Sequence, residues 1–362
     1  MDFDIYLKRI EKEIDSILPP EADKIWALKS FGENFSDDFS KNFSPLIAPT
    51  RSLVDLGGKR WRPLLLVLCA GASAFKLEKD SEQIKENAFH LTPMVELIHT
   101  ASLIHDDIED KSDSRRGKPS AYITYGLDTA LNAASWLYFQ AAVPISTLNV
   151  TTEMKNRLYS LYAAQIRRLH LGQAMDIKWH NDKNSRPSQT DYLTMVSHKT
   201  GTLSSLAAAA GTMVSGADDK TVEKIELAAQ KIGQGFQIID DVINLTTGNP
   251  GKNRGDDIVE GKKSLPVLIF FEENEKSASE LVGYFNQAAK EGISSEAVEK
   301  SISLLDKSGA IQKAKKQGKS LITEGAEDFQ NIFGQENPFA QNIKDLFFNM
   351  IPKNYLKGED NA

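Results

Sequence analysis

The chain has 362 residues, of which 41% are hydrophobic and 26% charged, a composition that supports a packed core and excludes disorder over most of its length. Its 43 lysines and arginines stand against 50 aspartates and glutamates, a net charge of −7, so no general nucleic-acid-binding or anionic-membrane surface is expected. A single cysteine, Cys69, excludes an internal disulfide and a multi-cysteine zinc site, and it fits a small core residue in a reducing compartment. The N-terminal MDFDIYLKRIEKEI carries acids early and no apolar stretch of signal length. The longest strongly apolar pieces, such as Leu265 to Phe271, are well short of the ~18 residues of a membrane span. A soluble, cytoplasmic protein without stable membrane insertion is expected.

Apolar residues recur at helical spacing from the start, where Phe3, Leu7, Ile10, Ile14 and Ile17 share one face of a helix that Pro19 and Pro20 stop. The polar, glycine-containing FGENFSDDFSKNF reads as a connection. Helical patterns then run over 62–75, 82–110, 128–148, 152–179, 191–216, 221–245 and 265–271, and through several segments to Met350. The RRGKPS region, NDKNSRPSQ and TGNPGKNRG separate them. Strand-like alternation is nearly absent, no composition shift marks a boundary and no fixed-period repeat is visible. The expectation is one all-α domain over 1–362, with a motif-bearing body at 57–270 and C-terminal helices at 275–352.

Three constellations carry chemistry. In Asp106-Asp107-Ile108-Glu109-Asp110, the i to i+4 spacing puts Asp106 and Asp110 on one helical face, ~5–6 Å apart. At an effective dielectric of ~20 two carboxylates at that distance repel by roughly 3 kcal/mol, which asks for a cation. Hard oxygen ligands suit magnesium, which fills the rest of its shell with water and phosphate oxygens. Alone, the cluster reads as well as a solvated acidic helix end. Asp240-Asp241-Val242-Ile243-Asn244 repeats the pattern late in another helix, and two such clusters facing each other across a bundle would hold a polyphosphate through magnesium. The third group is basic. Gly57-Gly58-Lys59-Arg60-Trp61-Arg62-Pro63 precedes a helix and offers backbone approach, a point charge at Lys59 and a fork at Arg62. Arg115-Arg116-Gly117 follows the first acidic motif, and Lys252, Lys262 and Lys263 follow the second. One basic cluster is commonly a solvated face; a basic follower for each acidic motif points to phosphate.

From Gly57 to Pro266 the sequence resembles the head-to-tail trans-prenyl diphosphate synthases, with GGKRWRP, ELIHTASLIHDDIED, RRGKPS, GQAMDI, HKTGTL, GFQIIDD and GKNRGDDIVEGKKSLP in family order. The resemblance implies a helical bundle around a central substrate cavity, the type I isoprenoid synthase fold, and extension of an allylic diphosphate by isopentenyl diphosphate with Mg2+. It implies Asp106, Asp110 and Asp240 as main metal ligands, with Asp107 and Asp241 in support. It places Lys59, Arg62, His99 and Arg116 around isopentenyl diphosphate and Arg115, Lys199, Lys252 and Lys262 around the allylic diphosphate. Lys199 begins the pair whose second member, Thr200, would lie with Gln237 near the developing allylic cation, stabilising positive charge with oxygen dipoles. A homodimer is implied as well.

Product length in this family follows the depth of an apolar tunnel below the first acidic motif. One helical turn is ~5.4 Å, close to one isoprene unit, so Ala101 and Ser102 test the first stop. Both are small, whereas farnesyl-stopping relatives carry an aromatic there. NAASWLYF and LHLGQAMDIKW resemble geranylgeranyl diphosphate synthases, in which residues matching Tyr138, Phe139 and His170 form a floor near twenty carbons. Asn244, where many relatives have Asp, also fits that subgroup and is in doubt as a metal ligand. Farnesyl and longer products are the alternatives. A terpene cyclase or a squalene-type synthase would have no use for the isopentenyl site, and a non-catalytic partner subunit should have lost the acidic clusters that this chain keeps.

Overall fold

In the computed structural model residues 3–78, 81–182, 184–248 and 253–351 are described, and among them helix dominates. The chain divides into two compact units. One comprises residues up to 164 with 206–226 and 332–343; the other comprises 165–205, 227–331 and the chain from 344. The strand structure among the described residues is the short hairpin of Ser114–Arg115 and Lys118–Pro119. No helix of the described residues is long and apolar enough to cross a membrane.

The first helix, α1 (Phe3–Ile17), buries Ile10, Ile14 and Ile17 as its periodicity requires. Next comes α2 (Lys24–Phe31), whose N-cap Asp23 accepts the Trp26 N–H and whose C-terminus is closed by Gly32 at φ 69°. Beyond it the structure departs from the sequence reading. The stretch taken as a connection carries a 3-10 helix over Asp37–Phe43 that leads into α3 (Ser44–Val54). Phe31, Phe35, Phe39 and Phe43 recur every four residues and pack on one another, and Trp26 meets Phe43 edge-on at 5.4 Å. That ring-on-ring packing, centred on the buried Phe43, outweighs the polar residues between them.

The apolar α4 (Trp61–Leu77) packs on α5 (Ser81–Glu109), which also contacts α1. After α6 (Ala121–Tyr125), α7 (Leu127–Gln140) lies on α3 and α5. Leu53, Ile104, Ala121, Ala130 and Ala134 form a buried cluster between them. The single helix expected over 128–148 is broken, because Pro144 would clash with the carbonyl of Gln140, and α8 (Val143–Thr147) restarts beyond it.

The remaining helices are α9 (Thr152–Asn181), α10 (Gln189–Val196), α11 (Thr202–Val214), α12 (Asp219–Thr246), α13 (Asp256–Glu260), α14 (Leu265–Glu273), α15 (Ala278–Glu291), α16 (Glu296–Lys307), α17 (Ala310–Phe333) and α18 (Pro338–Met350). A π-helical turn, Ser197–Gly201, joins α10 to α11. Within the second unit, a Cβ on Gly172 of α9 would lie 2.3 Å from the Lys199 nitrogen in this turn, and one on Gly233 of α12 would lie 2.6 Å from the Gly201 Cα. Only glycine permits these approaches.

Candidate active site

The first acidic cluster closes α5. Asp106 and Asp110 are half-buried on one face. Asp107 is 2% exposed, and Arg115 sets Nε and Nη2 each 2.6 Å from its Oδ1. Burial pushes the Asp107 carboxyl up to about 6 against the pull of Arg115. The next residue, Arg116, has φ 52°, a left-handed conformation at the hairpin turn. Its Nη1 donates to the Gly57 carbonyl, and a Cβ on Gly58 would stand 3.4 Å from Nη2, so the RRG turn rests on the GGKR turn.

The structure sorts the cations of GGKRWRP. Lys59 is exposed, whereas Arg60, at φ 45°, is buried and fully committed. Its Nε lies 2.7 Å from Glu11 Oε1, Nη1 lies 2.6 Å from Glu96 Oε1, and Nη2 donates to the Val54 carbonyl at 2.8 Å. Arg62 lies over the Trp61 ring at 4.5 Å, and its buried Nε has no hydrogen-bond partner. Burial lowers the Arg62 guanidinium to about 10 despite the attraction of Glu96. His99, half-buried on α5, is held well below its usual range by burial and by the charges of Arg62, Arg116, Arg115 and Arg60. An unsatisfied guanidinium nitrogen beside a neutral imidazole and further arginines fits an anionic guest.

Of the expected chain-length residues, Ala101 is wholly buried, and half-buried Ser102 donates to the His99 carbonyl at 2.8 Å. Tyr138 is 7% exposed and stacks on His105 at 5.5 Å. Phe139 is 76% exposed, and His170 is exposed too. Successive helical residues point ~100° apart. The chain therefore encloses Tyr138 alone of those three.

The second acidic cluster lies in a cleft of the second unit, where Asp240, Asp241 and Asp257 share the lining with Lys199, Lys262 and Lys263. Lys199, raised by the π turn, meets Asp176 Oδ2 at 2.6 Å. Lys262 lies 2.5 Å from Glu260 and 3.6 Å from Asp257, while the Lys263 Nζ donates to the Gly261 carbonyl at 3.0 Å. Thr200 donates to Gln237 Oε1 at 2.8 Å, Gln237 Nε2 donates to Asp241 Oδ1 at 3.0 Å, and the Tyr192 hydroxyl donates to Asp241 Oδ2 at 2.6 Å. Burial, with the charges of Asp257 and Asp240, pushes Asp241 up to about 7. Asp240 is exposed. Asn244 is 1% exposed, and its Oδ1 accepts the Asp257 N–H at 3.3 Å. Lys252 lies outside the described residues.

Among the described residues no three His, Cys, Asp or Glu side chains converge as a ready-made metal cage. The donor set nevertheless fits magnesium, which takes one or two carboxylates and completes its shell with water and phosphate. The sequence reading missed Asp176, Tyr192, Met195 and Asp257. Asp176 and Asp257 stand inside quoted motifs, and the i, i+3, i+7 spacing of Tyr192, Met195 and Lys199 was a usable signal.

Residues 44–302 match the family model described as Polyprenyl synthetase. A geranylfarnesyl diphosphate synthase of Natronomonas pharaonis is 30% identical over 320 residues, covering 86% of this chain and 90% of its own length. A geranylgeranyl diphosphate synthase of Methanosarcina mazei is 32% identical over 284 residues, covering 78% and 82%. The crystal structure of geranylgeranyl pyrophosphate synthetase from Pyrococcus horikoshii superposes with a TM-score of 0.78 at 26% identity, over 98% of this chain and 96% of that one. The fold is the all-α isoprenoid synthase fold. The chain belongs to the polyprenyl synthetase family and is a transferase, a trans-prenyl diphosphate synthase.

Proposed function

We propose that the protein condenses isopentenyl diphosphate head to tail with allylic diphosphates, depends on magnesium and releases geranylgeranyl diphosphate. The observation that carries this reading is the mixed lining of the second unit's cleft, which sets carboxylates of Asp240, Asp241 and Asp257 among Lys199, Lys262 and Lys263. Such a lining takes a divalent cation and a diphosphate together. By family resemblance Asp106, Asp110 and Asp240 would hold magnesium, which when bound would supply positive charge for the departing diphosphate. Lys199 and Lys262, with Lys252 and Arg115 by family resemblance, grip the allylic diphosphate. Lys59, Arg62, His99 and Arg116 take isopentenyl diphosphate, a role supported by the unpartnered Arg62 Nε.

The allylic C1–O bond breaks, the isopentenyl double bond attacks C1, and proton loss regenerates an alkene, with released pyrophosphate as the base. Thr200 and Gln237 turn oxygen dipoles to the cation. The small Ala101 and Ser102 support passage beyond fifteen carbons, and the enclosed Tyr138 supports a stop near twenty. A longer product is the second reading, favoured by the outward-facing Phe139. A homodimer belongs to the proposal by family resemblance alone. Incubation of the protein with magnesium, isopentenyl diphosphate and each of three allylic primers, followed by mass spectrometry, tests the proposal. A twenty-carbon main product is expected; no elongation with any primer overturns the synthase reading, and a main product of another length overturns the assigned stop.

A further inference from the structure

Tyr192 is 1% exposed on α10, and its hydroxyl is the outer end of a hydrogen-bonded line with a defined polarity. It donates to Asp241 Oδ2 at 2.6 Å; Asp241 Oδ1 accepts Gln237 Nε2 at 3.0 Å; Gln237 Oε1 accepts the Thr200 hydroxyl at 2.8 Å. When ionised, the Asp241 carboxylate accepts only, an amide has one donating and one accepting end, and a threonine hydroxyl has one proton. Asp241 therefore takes the amide nitrogen of Gln237, which turns the carbonyl to Thr200 and commits the Thr200 proton to it. The free valence of Thr200 Oγ1 is then lone pairs. Lone pairs stabilise an adjacent carbocation, whereas an O–H proton turned toward it would repel.

We propose that Tyr192 is a positioning residue for the condensation: its buried hydroxyl fixes the Asp241 carboxylate, and through Gln237 this keeps the Thr200 lone pairs free for the allylic cation. The inference rests on Thr200 and Gln237 facing that cation, as proposed above. The Tyr192 hydroxyl proton is already committed to Asp241, so any effect on the cation passes through that carboxylate. Were the phenol only a filler between α10 and α12, its ring would matter and its hydroxyl would not.

Steady-state kinetics with magnesium and both substrates on Tyr192→Phe, Gln237→Leu and the double variant separate these roles. In Tyr192→Phe the expected kcat is about tenfold lower, as for one lost hydrogen bond, with both KM values within about twofold of the parent and a retained cooperative melt. Because both changes cut the same line, the double variant should be no slower than Gln237→Leu alone. A parental kcat in Tyr192→Phe, a raised KM, a lost cooperative melt or an additive loss in the double variant overturns the positioning role alone. A parental kcat in Gln237→Leu refutes the cation-facing reading of the pair, and the inference falls with it.

Discussion

Arg115 reaches back over the hairpin to Asp107 and closes on a single carboxylate oxygen, Oδ1, with both Nε and Nη2 at 2.6 Å. The middle of the first acidic motif is thereby tied to the RRG turn. Asp106 and Asp110, four residues apart, keep the shared face of α5.

Burial of the Asp107 carboxyl makes stability depend on pH in magnesium-free buffer, and the pairing with Arg115 limits the effect. The folded Asp107 carboxyl sits at about 6, above its ordinary value of about 3.9, so the folded state binds more protons between those limits. Its cost to the fold is absent below about pH 4, grows as pH rises and levels above pH 6. Arg115→Gln removes the lowering charge, so the loss of stability should be small near pH 4 and reach roughly 1–3 kcal/mol at pH 7. Thermal melts of both proteins across that range check it, and a pH-independent difference would contradict it.

Asp106→Ala and Asp240→Ala should each cut turnover by more than about a hundredfold, beyond what the loss of a merely supporting partner produces. Neither should unfold the protein, because Asp240 is exposed and Asp106 half-buried, and both substitutions relieve carboxylate repulsion. Calorimetry and product assay on the same samples decide the matter. Substantial magnesium-dependent activity in either variant would count against the assignment.

Arg62→Ala should weaken isopentenyl diphosphate far more than the allylic substrate. A lost charge-assisted contact costs roughly 1.5–3 kcal/mol, about tenfold to over a hundredfold in affinity. Kinetics with each substrate varied in turn provide the check, and equal losses for both would mean that the basic group is misassigned.

Ala101→Phe should move the main product to fifteen carbons, because Ala101 is wholly buried one turn before Asp106. Overpacking should cost about 1–3 kcal/mol without blocking the first condensations. Tyr138→Ala should do the reverse and lengthen the product, since Tyr138 is the enclosed member of the expected floor. Product chromatography on folded variants tests both, and an unchanged profile places the stop elsewhere.

The acidic motifs were legible because their chemistry lies within five consecutive residues, and the first helix because its apolar face repeats without interruption. The aromatic stretch from Phe31 to Phe43 was not, since Gly32, Asn34, Ser36, Asp37 and Asp38 dominate its composition while the decisive signal is a phenylalanine every fourth residue. Arg60 stands in the basic run with no role assigned to it by the sequence; its partners Glu11 and Glu96 are 49 and 36 residues away, and nothing local announces them. The partner of Tyr192 escaped for the same reason, with Asp241 lying 49 residues along the chain, although helical spacing puts Tyr192 on the face of Lys199.

The contacts of Gly172 with Lys199 and of Gly233 with Gly201 set main chain directly upon main chain around the second unit's cleft. A contact of that kind has no give: no rotamer can swing aside to let the two backbones come closer, and a single added methyl group meets main chain. The cleft is thus incompressible at those two crossings, and a larger residue at Gly172 or Gly233 would have to prise apart the backbone segments that frame it, at a cost in packing.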